Sequence, residues 1–188
     1  MKKDAEALGR QASIDGFAHE HIVAGLLMKR YQNVSLVDLP LSTYDIIIAY
    51  KLANGDEDII RVQVKTARKG ISFTGGTRGG ADRTYKSDVK TYTQSTKTSD
   101  VVIGFCPNTD DTFDMYFVPT IIIELLPTKS ISLNKIKPLK NNYEILESCK
   151  NREFILAKAK EYGILWSRPY YFKKTFLGRG ERGGVGSG

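Results

Sequence analysis

The chain has 188 residues, enough for one domain with a substantial core. Its 41% hydrophobic and 26% charged residues match a water-soluble globular protein and argue against a disordered or fibrous class. The formal net charge of +7 favours a polyanionic partner, nucleic acid before others, and no apolar run is long enough to cross a bilayer.

From the N-terminus, no apolar segment follows the first lysines, so no secretory signal is read there. The segment Asp15 to Tyr31 predicts a helix: Phe17, Ile22, Val23, Leu26, Leu27 and Tyr31 recur at helical spacing, with Ser13 or Asp15 to cap it. A strand is expected at Val34 to Leu39. The apolar, β-branched run Tyr44 to Tyr50 predicts a second, and Asp58 to Ala67 a third, joined to it through Asn54-Gly55 as a β-hairpin. Gly70 to Tyr85 reads as a glycine-rich loop carrying Arg78 and Arg83 and lacks the closing Lys-Ser/Thr of a P-loop. A second strand pair is expected at Ser99 to Cys106 and Met115 to Val118, with Pro107 to Asp111 as turn residues. A short helical segment follows Pro119 and ends near Pro127, and a longer helix is expected from Tyr143 to Tyr162. No internal repeat is found. The order fits an α/β fold, a mixed β-sheet flanked by helices.

Charge is unevenly placed. From Lys150 onward the basic residues are Lys150, Arg152, Lys158, Lys160, Arg168, Lys173, Lys174, Arg179 and Arg182, against Glu153, Glu161 and Glu181. Such asymmetry marks a contact surface more than general solubility. The stretch from Trp166 to Lys174 interleaves aromatic and basic residues, a composition that can stack on bases while gripping phosphates. We therefore divide the chain into a core, 1–126, and a basic helical extension, 127–188, packed on it, with disorder expected from about 178. The two cysteines, Cys106 and Cys149, form no metal-ligand spacing with the two histidines, which favours a reducing cytoplasm.

One stretch raises the functional question. Arg61-Val62-Gln63-Val64-Lys65-Thr66 alternates strictly, as a half-buried strand does, and residues two apart share a face, so Gln63 and Lys65 project together. With Asp45 on the neighbouring strand and Glu20 on the first helix, these residues form a candidate constellation. Magnesium takes oxygen ligands and needs only one or two carboxylates beside a substrate phosphate. Asp45 is the candidate central ligand, with the Gln63 side-chain carbonyl and the Val64 backbone carbonyl as helpers. Lys65 is placed to hold the attacking water and offset charge on phosphorus. His19 and His21, two apart on a helix, diverge and are read as surface or DNA-facing.

Tyr44-Asp45, followed across a hairpin by Gln63-Val64-Lys65, resembles the signature of the PD-(D/E)XK nuclease superfamily. Gly16 to Glu20, with Val23 and Leu26, is similar to the first helix of many members. The text RVQVKTAR resembles the subgroup with Gln in place of the second acid, found among intron-encoded and restriction-type endonucleases. The resemblance covers roughly Gly16 to Pro119. Two departures stand out: Tyr44 replaces the proline, and the neutral Gln63 argues for one metal ion in place of two.

The resemblance implies a restriction-endonuclease-like core and a magnesium-dependent hydrolysis of DNA that leaves a 5′-phosphate, with Mn2+ able to substitute. Asp45 would bind metal, Lys65 serve the nucleophile, Gln63 stand at the acid's position and Glu20 support metal or water. Double-stranded DNA is the expected partner, held by Arg78, Arg83, Lys86, Lys90, Arg168, Lys173 and Lys174. A type II restriction-type enzyme is the first expectation, of prokaryotic or phage origin and acting as a homodimer. A Holliday junction resolvase or homing endonuclease is the enzymatic alternative, and a non-catalytic DNA-binding protein on a decayed nuclease fold the alternative of another class. One geometric requirement can be checked. A two-residue Asn54-Gly55 turn would put Asp45 opposite Val64, on the wrong face, so the site requires a different loop length or a bulge.

Overall fold

A computed structural model of the protein describes residues 2–39, 42–52, 54–75, 91–110 and 112–165. Its centre is a five-stranded mixed sheet, ordered β1-β2-β3-β7-β8, with β1 Asn33–Leu36, β2 Ile46–Lys51, β3 Glu57–Thr66, β7 Val101–Pro107 and β8 Phe113–Pro119. All neighbours are antiparallel except β3 and β7, which run parallel. A parallel pair needs a long crossover. The segment between β3 and β7 supplies it and carries, among its described residues, three short strands, β4 Gly70–Ser72, β5 Thr74–Gly75 and β6 Tyr92–Thr93. Strand β4 pairs with β9, Ser130–Ser132, and β5 with β6.

Helix α1 spans Lys2–Met28, beginning well before the expected Asp15 and ending earlier than Tyr31. The apolar spacing that marks it in the sequence begins at Phe17, shortly before the buried part of the helix. Val23, Ala24 and Leu27 are buried there, while Leu8, Ile14 and Phe17 remain exposed. Upstream, helix-favouring residues such as Ala7, Leu8 and Arg10 and the Gln11–Asp15 bond of 2.7 Å support the helix. The expected helix over 143–162 is two: α3, Tyr143–Glu147, and α4, Arg152–Glu161. Asn151 separates them by capping α4, its side chain accepting from Phe154 N–H at 3.1 Å. Helix α2 is short, Thr120–Ile123, and a 3-10 helix runs from Leu133 to Leu139.

Register partners share a face of the sheet, so the two faces can be assigned. His19 of α1 bonds Thr66 and stacks on Phe105, the register partner of Thr66, while Tyr143 of α3 packs on Phe117. Helices α1 and α3 therefore cover one face. On the other, Ile71 of β4 lies against Gly104, where an added Cβ would sit 2.3 Å from Ile71 Cδ1. Gly104 admits that close approach. Ile131, Ile136, Leu139, Ile145, Leu146 and Ile155 join the same hydrophobic cluster as the strand residues.

The hairpin register meets the geometric requirement. Lys51 pairs with Glu57 and Ile46 with Val62, so residues 52–56 form the connection in place of a two-residue turn. Leu52 N–H donates to Asp56 O and Gly55 N–H to Leu52 O, with Gly55 at φ +89°. Asp45 N–H also donates to Val62 O, at 2.8 Å, so Asp45 and Ile46 both address one partner, the arrangement of a bulge. The shift brings Asp45 beside Gln63.

Candidate active site

The polar residues of β3 have three different fates. Arg61 turns to Asp100, which is almost fully buried: its Nη2 and Nε donate to the carboxylate at 2.8 and 3.2 Å, and its backbone N–H donates at 2.8 Å. Arg61 also caps the carbonyls of Thr96 and Lys97. It is a structural clamp between β3 and the start of β7. Gln63 is 6% exposed. Lys65 is half-buried at the strand's C-terminal end, paired in register with Gly104. The face that carries Arg61, Gln63 and Lys65 is thus covered along most of its length.

Asp45 stands at the start of β2, against that end of β3. Its Oδ2 accepts from Val64 N–H at 2.7 Å and from Gln63 Nε2. Burial pushes the Asp45 carboxyl up from 3.8 to about 6, against the opposing effects of the Val64 N–H bond and Lys65. Glu20 reaches the same place from α1. Its carboxyl is raised from 4.5 to about 7, first by burial and then by Asp45, while His21 and Lys65 act the other way. Two carboxylates and one ammonium therefore meet at one end of the sheet, with Glu20, Asp45 and Lys65 each partly accessible.

Gln63 does not offer its carbonyl toward Asp45. Its Nε2 donates to Asp45 and, at 3.2 Å, to Val64 O, while its Oε1 accepts from Gln94 Nε2 at 3.0 Å. Gln94 is 1% exposed and has no mark in the sequence, following a glycine-rich stretch with no periodicity. Thr43, Thr98 and Ser99 complete the group around it. Tyr92 lies beside both Gln94 and Asp45, its hydroxyl pKa raised by burial and then by Asp45.

His19 is partly buried. Its Nδ1 lies 2.8 Å from Thr66 Oγ1 and its ring 4.6 Å from that of Phe105, and burial holds its pKa below 6.5. His21 is exposed and bonds Phe17 O. The expected DNA contacts Arg78, Arg83, Lys86, Lys90, Arg168, Lys173 and Lys174 lie outside the described residues.

Among the described residues no group of three or more His, Cys, Asp or Glu side chains could hold a metal ion. The oxygen donors at the site are Asp45, Glu20 and Val64 O. A magnesium ion suits so sparse a set, because it keeps several waters and takes one or two carboxylates. The two carboxyls raised in company also fit a cation. Gln63, with nitrogen facing Asp45, does not join the donor set as arranged. Two concavities, of about 270 and 190 Å3, are lined by Tyr31, Ile48, Tyr50, Ile60 and Glu147 and by residues around Thr96, Asp100 and Thr120. Neither of these two includes Asp45 or Lys65.

No family model and no curated protein matches the chain. Among solved structures, it is similar to a bacterial homing endonuclease at 17% identity and a TM-score of 0.40, over 70% of this chain and 76% of that one. Among the described residues no helix is long and apolar enough to cross a membrane.

Proposed function

We propose that the chain is a magnesium-dependent endonuclease that hydrolyses phosphodiester bonds in double-stranded DNA, of restriction type, leaving a 5′-phosphate. The observation that carries the proposal is the convergence of Glu20, Asp45, Val64 and Lys65 at one end of the sheet. Three chain segments distant in sequence place two carboxylates and a lysine together. A structural use of Lys65 on a solvated strand face requires no such company.

In this reading Asp45, Glu20 and Val64 O hold the ion, which when bound supplies Lewis acidity and lowers the pKa of water near the scissile phosphate. The Val64 N–H bond fixes Asp45 by one oxygen, Oδ2. Lys65, close enough to both carboxylates to lower the pKa of each, orients the attacking water and offsets charge that develops on phosphorus. Without the ion, burial and then Asp45 raise the Glu20 carboxyl to about 7, so a bound cation would favour its ionised form. The net charge of +7 supplies attraction to the phosphate backbone, concentrated in the loop and tail lysines and arginines named above. One site per chain and two strands to cut make a homodimer the working assembly.

The test is incubation of the purified protein with long unmethylated duplex DNA, with and without magnesium, beside Asp45→Ala and Lys65→Ala. Discrete magnesium-dependent fragments that vanish in both variants are expected. Preference for branched DNA would replace restriction by junction resolution, and a single rare cut in long DNA would indicate a homing enzyme. DNA binding with a steep salt dependence and no cleavage of any substrate would overturn the proposal.

A further inference from the structure

The two buried carboxamides at the site, Gln63 and Gln94, have their orientations dictated by neighbours that can only accept. Thr43 O is a carbonyl, so the Gln94 atom 3.1 Å from it is the nitrogen. That same nitrogen lies 3.0 Å from Gln63, which must therefore present its oxygen there. The other end of the Gln63 amide is then nitrogen, and it meets two more acceptors, the Asp45 carboxylate and Val64 O. The Gln94 oxygen is held by two hydroxyls, Thr98 Oγ1 at 2.5 Å and Ser99 Oγ at 2.9 Å, and its backbone N–H donates to Phe73 O at 2.8 Å. Turning the Gln94 amide over would set oxygen against oxygen at Thr43 and Gln63, and turning the Gln63 amide over would do so at Asp45 and Val64.

We infer that Gln94 is a positioning residue: it locks the Gln63 carboxamide with NH2 on Asp45 and carbonyl turned away, making Gln63 a donor that aims Asp45, not a metal ligand. Its catalytic consequence rests on the endonuclease reading, whereas the hydrogen-bond arrangement does not. Second-layer partners of this kind typically change metal affinity or activity by about 10- to 100-fold when removed. Gln94 reaches Asp45 through Gln63, with Tyr92 beside both.

The test reads the side-chain NH2 resonances of Gln63 in the 15N-labelled full chain without metal, for the parent, Asp45→Asn and Gln94→Leu. In the parent the two protons should be well separated and slow to exchange with water. Asp45→Asn should shift them, and Gln94→Leu should return them to the free-amide position while the backbone spectrum stays folded. Gln63 signals already at the free-amide position in the parent, or unmoved by Gln94→Leu, would overturn the inference. Should Gln94→Leu fail to fold, Asp45→Asn alone decides, since Gln63 signals indifferent to it are incompatible with the arrangement. On duplex DNA with magnesium, Gln94→Leu should cleave about 10- to 100-fold more slowly with DNA affinity unchanged. A parent that cleaves no DNA, with amide signals as expected, would sink the endonuclease reading and leave the Gln94 assignment standing.

Discussion

Asp45→Asn should make the metal-free protein more stable at pH 8 while removing the nuclease activity proposed for it. The Asp45 carboxyl is raised from 3.8 to about 6, with burial the leading cause. A folded-state pKa above the unfolded one means that the folded chain holds the proton more tightly. The resulting stability is complete below pH 3.8 and is lost as pH rises through 6. Relative to the protonated group, ionised Asp45 costs the fold about 3 kcal/mol at pH 8 and about 0.5 kcal/mol at pH 4. Asparagine imitates the protonated form without the pH dependence. Both hydrogen bonds to Asp45 land on one atom, Oδ2, so the single amide oxygen of asparagine can accept from Val64 N–H and Gln63 Nε2 alike. Loss of the charge also relaxes Glu20, whose carboxyl Asp45 helps to raise.

For a chain of this length, each kcal/mol moves the melting temperature by roughly 2–4 °C. Thermal unfolding in EDTA should therefore show Asp45→Asn melting roughly 6–12 °C above the parent at pH 8, and within about 2 °C of it at pH 4. Magnesium should raise the parent's melting temperature at pH 8 and leave the variant's nearly unchanged, since binding stabilises only the fold that holds the ion. A variant that melts below the parent at pH 8, or gains equally at both pH values, would refute the claim that the site carries uncompensated negative charge.

Three further outcomes test the surrounding fold. Asp100→Ala removes the buried partner of Arg61, and should cost about 3–5 kcal/mol in urea unfolding, with Arg61→Met on the same background recovering part of it. Gly104→Ala forces Ile71 to move and should cost about 1–3 kcal/mol, with a smaller loss when combined with Ile71→Val. Burial holds the His19 pKa below 6.5, so its contribution is complete above pH 6.5 and lost as pH falls through the folded value. His19→Gln should accordingly flatten the acid side of the stability profile, and an unchanged profile would show that His19 is as free as the sequence alone implies.

What could be read from the sequence was whatever local pattern fixes. The hairpin strands show as β-branched alternation, and the need for a register shift follows from counting residues between Asp45 and Gln63, because side chains alternate with a period of two. The start of α1 was not legible, because a helix without a buried face leaves no apolar periodicity; its first half carries Leu8 and Ile14 exposed. Arg61 looked like its neighbours on the strand, yet Asp100, distant in sequence, makes it structural. Strands β4, β5, β6 and β9 have two or three residues each, too short for any period to appear. Gln94 was invisible for a different reason: its role depends wholly on which acceptors surround it, and Thr43 and Val64 offer backbone carbonyls that carry no side-chain signature.

The neutral residue at position 63 then has a physical rationale. Burial already raises the carboxyl pKa values of Asp45 and Glu20 in one partly buried place, Asp45 adds to the rise at Glu20, and Lys65 is a neighbouring cation. A third acid at Gln63, which is 6% exposed, would add another desolvated negative charge and would turn an oxygen, not a nitrogen, toward Asp45. The metal-free fold would bear the repulsion of all three until an ion arrived. With glutamine, the same position becomes a donor to Asp45, and Gln94 passes the orientation back to Thr98, Ser99 and Thr43. The arrangement reduces negative charge where it is most costly, while keeping the one carboxylate that the proposed chemistry requires in a fixed pose. A site built this way holds fewer acidic ligands, and so fits one ion better than two.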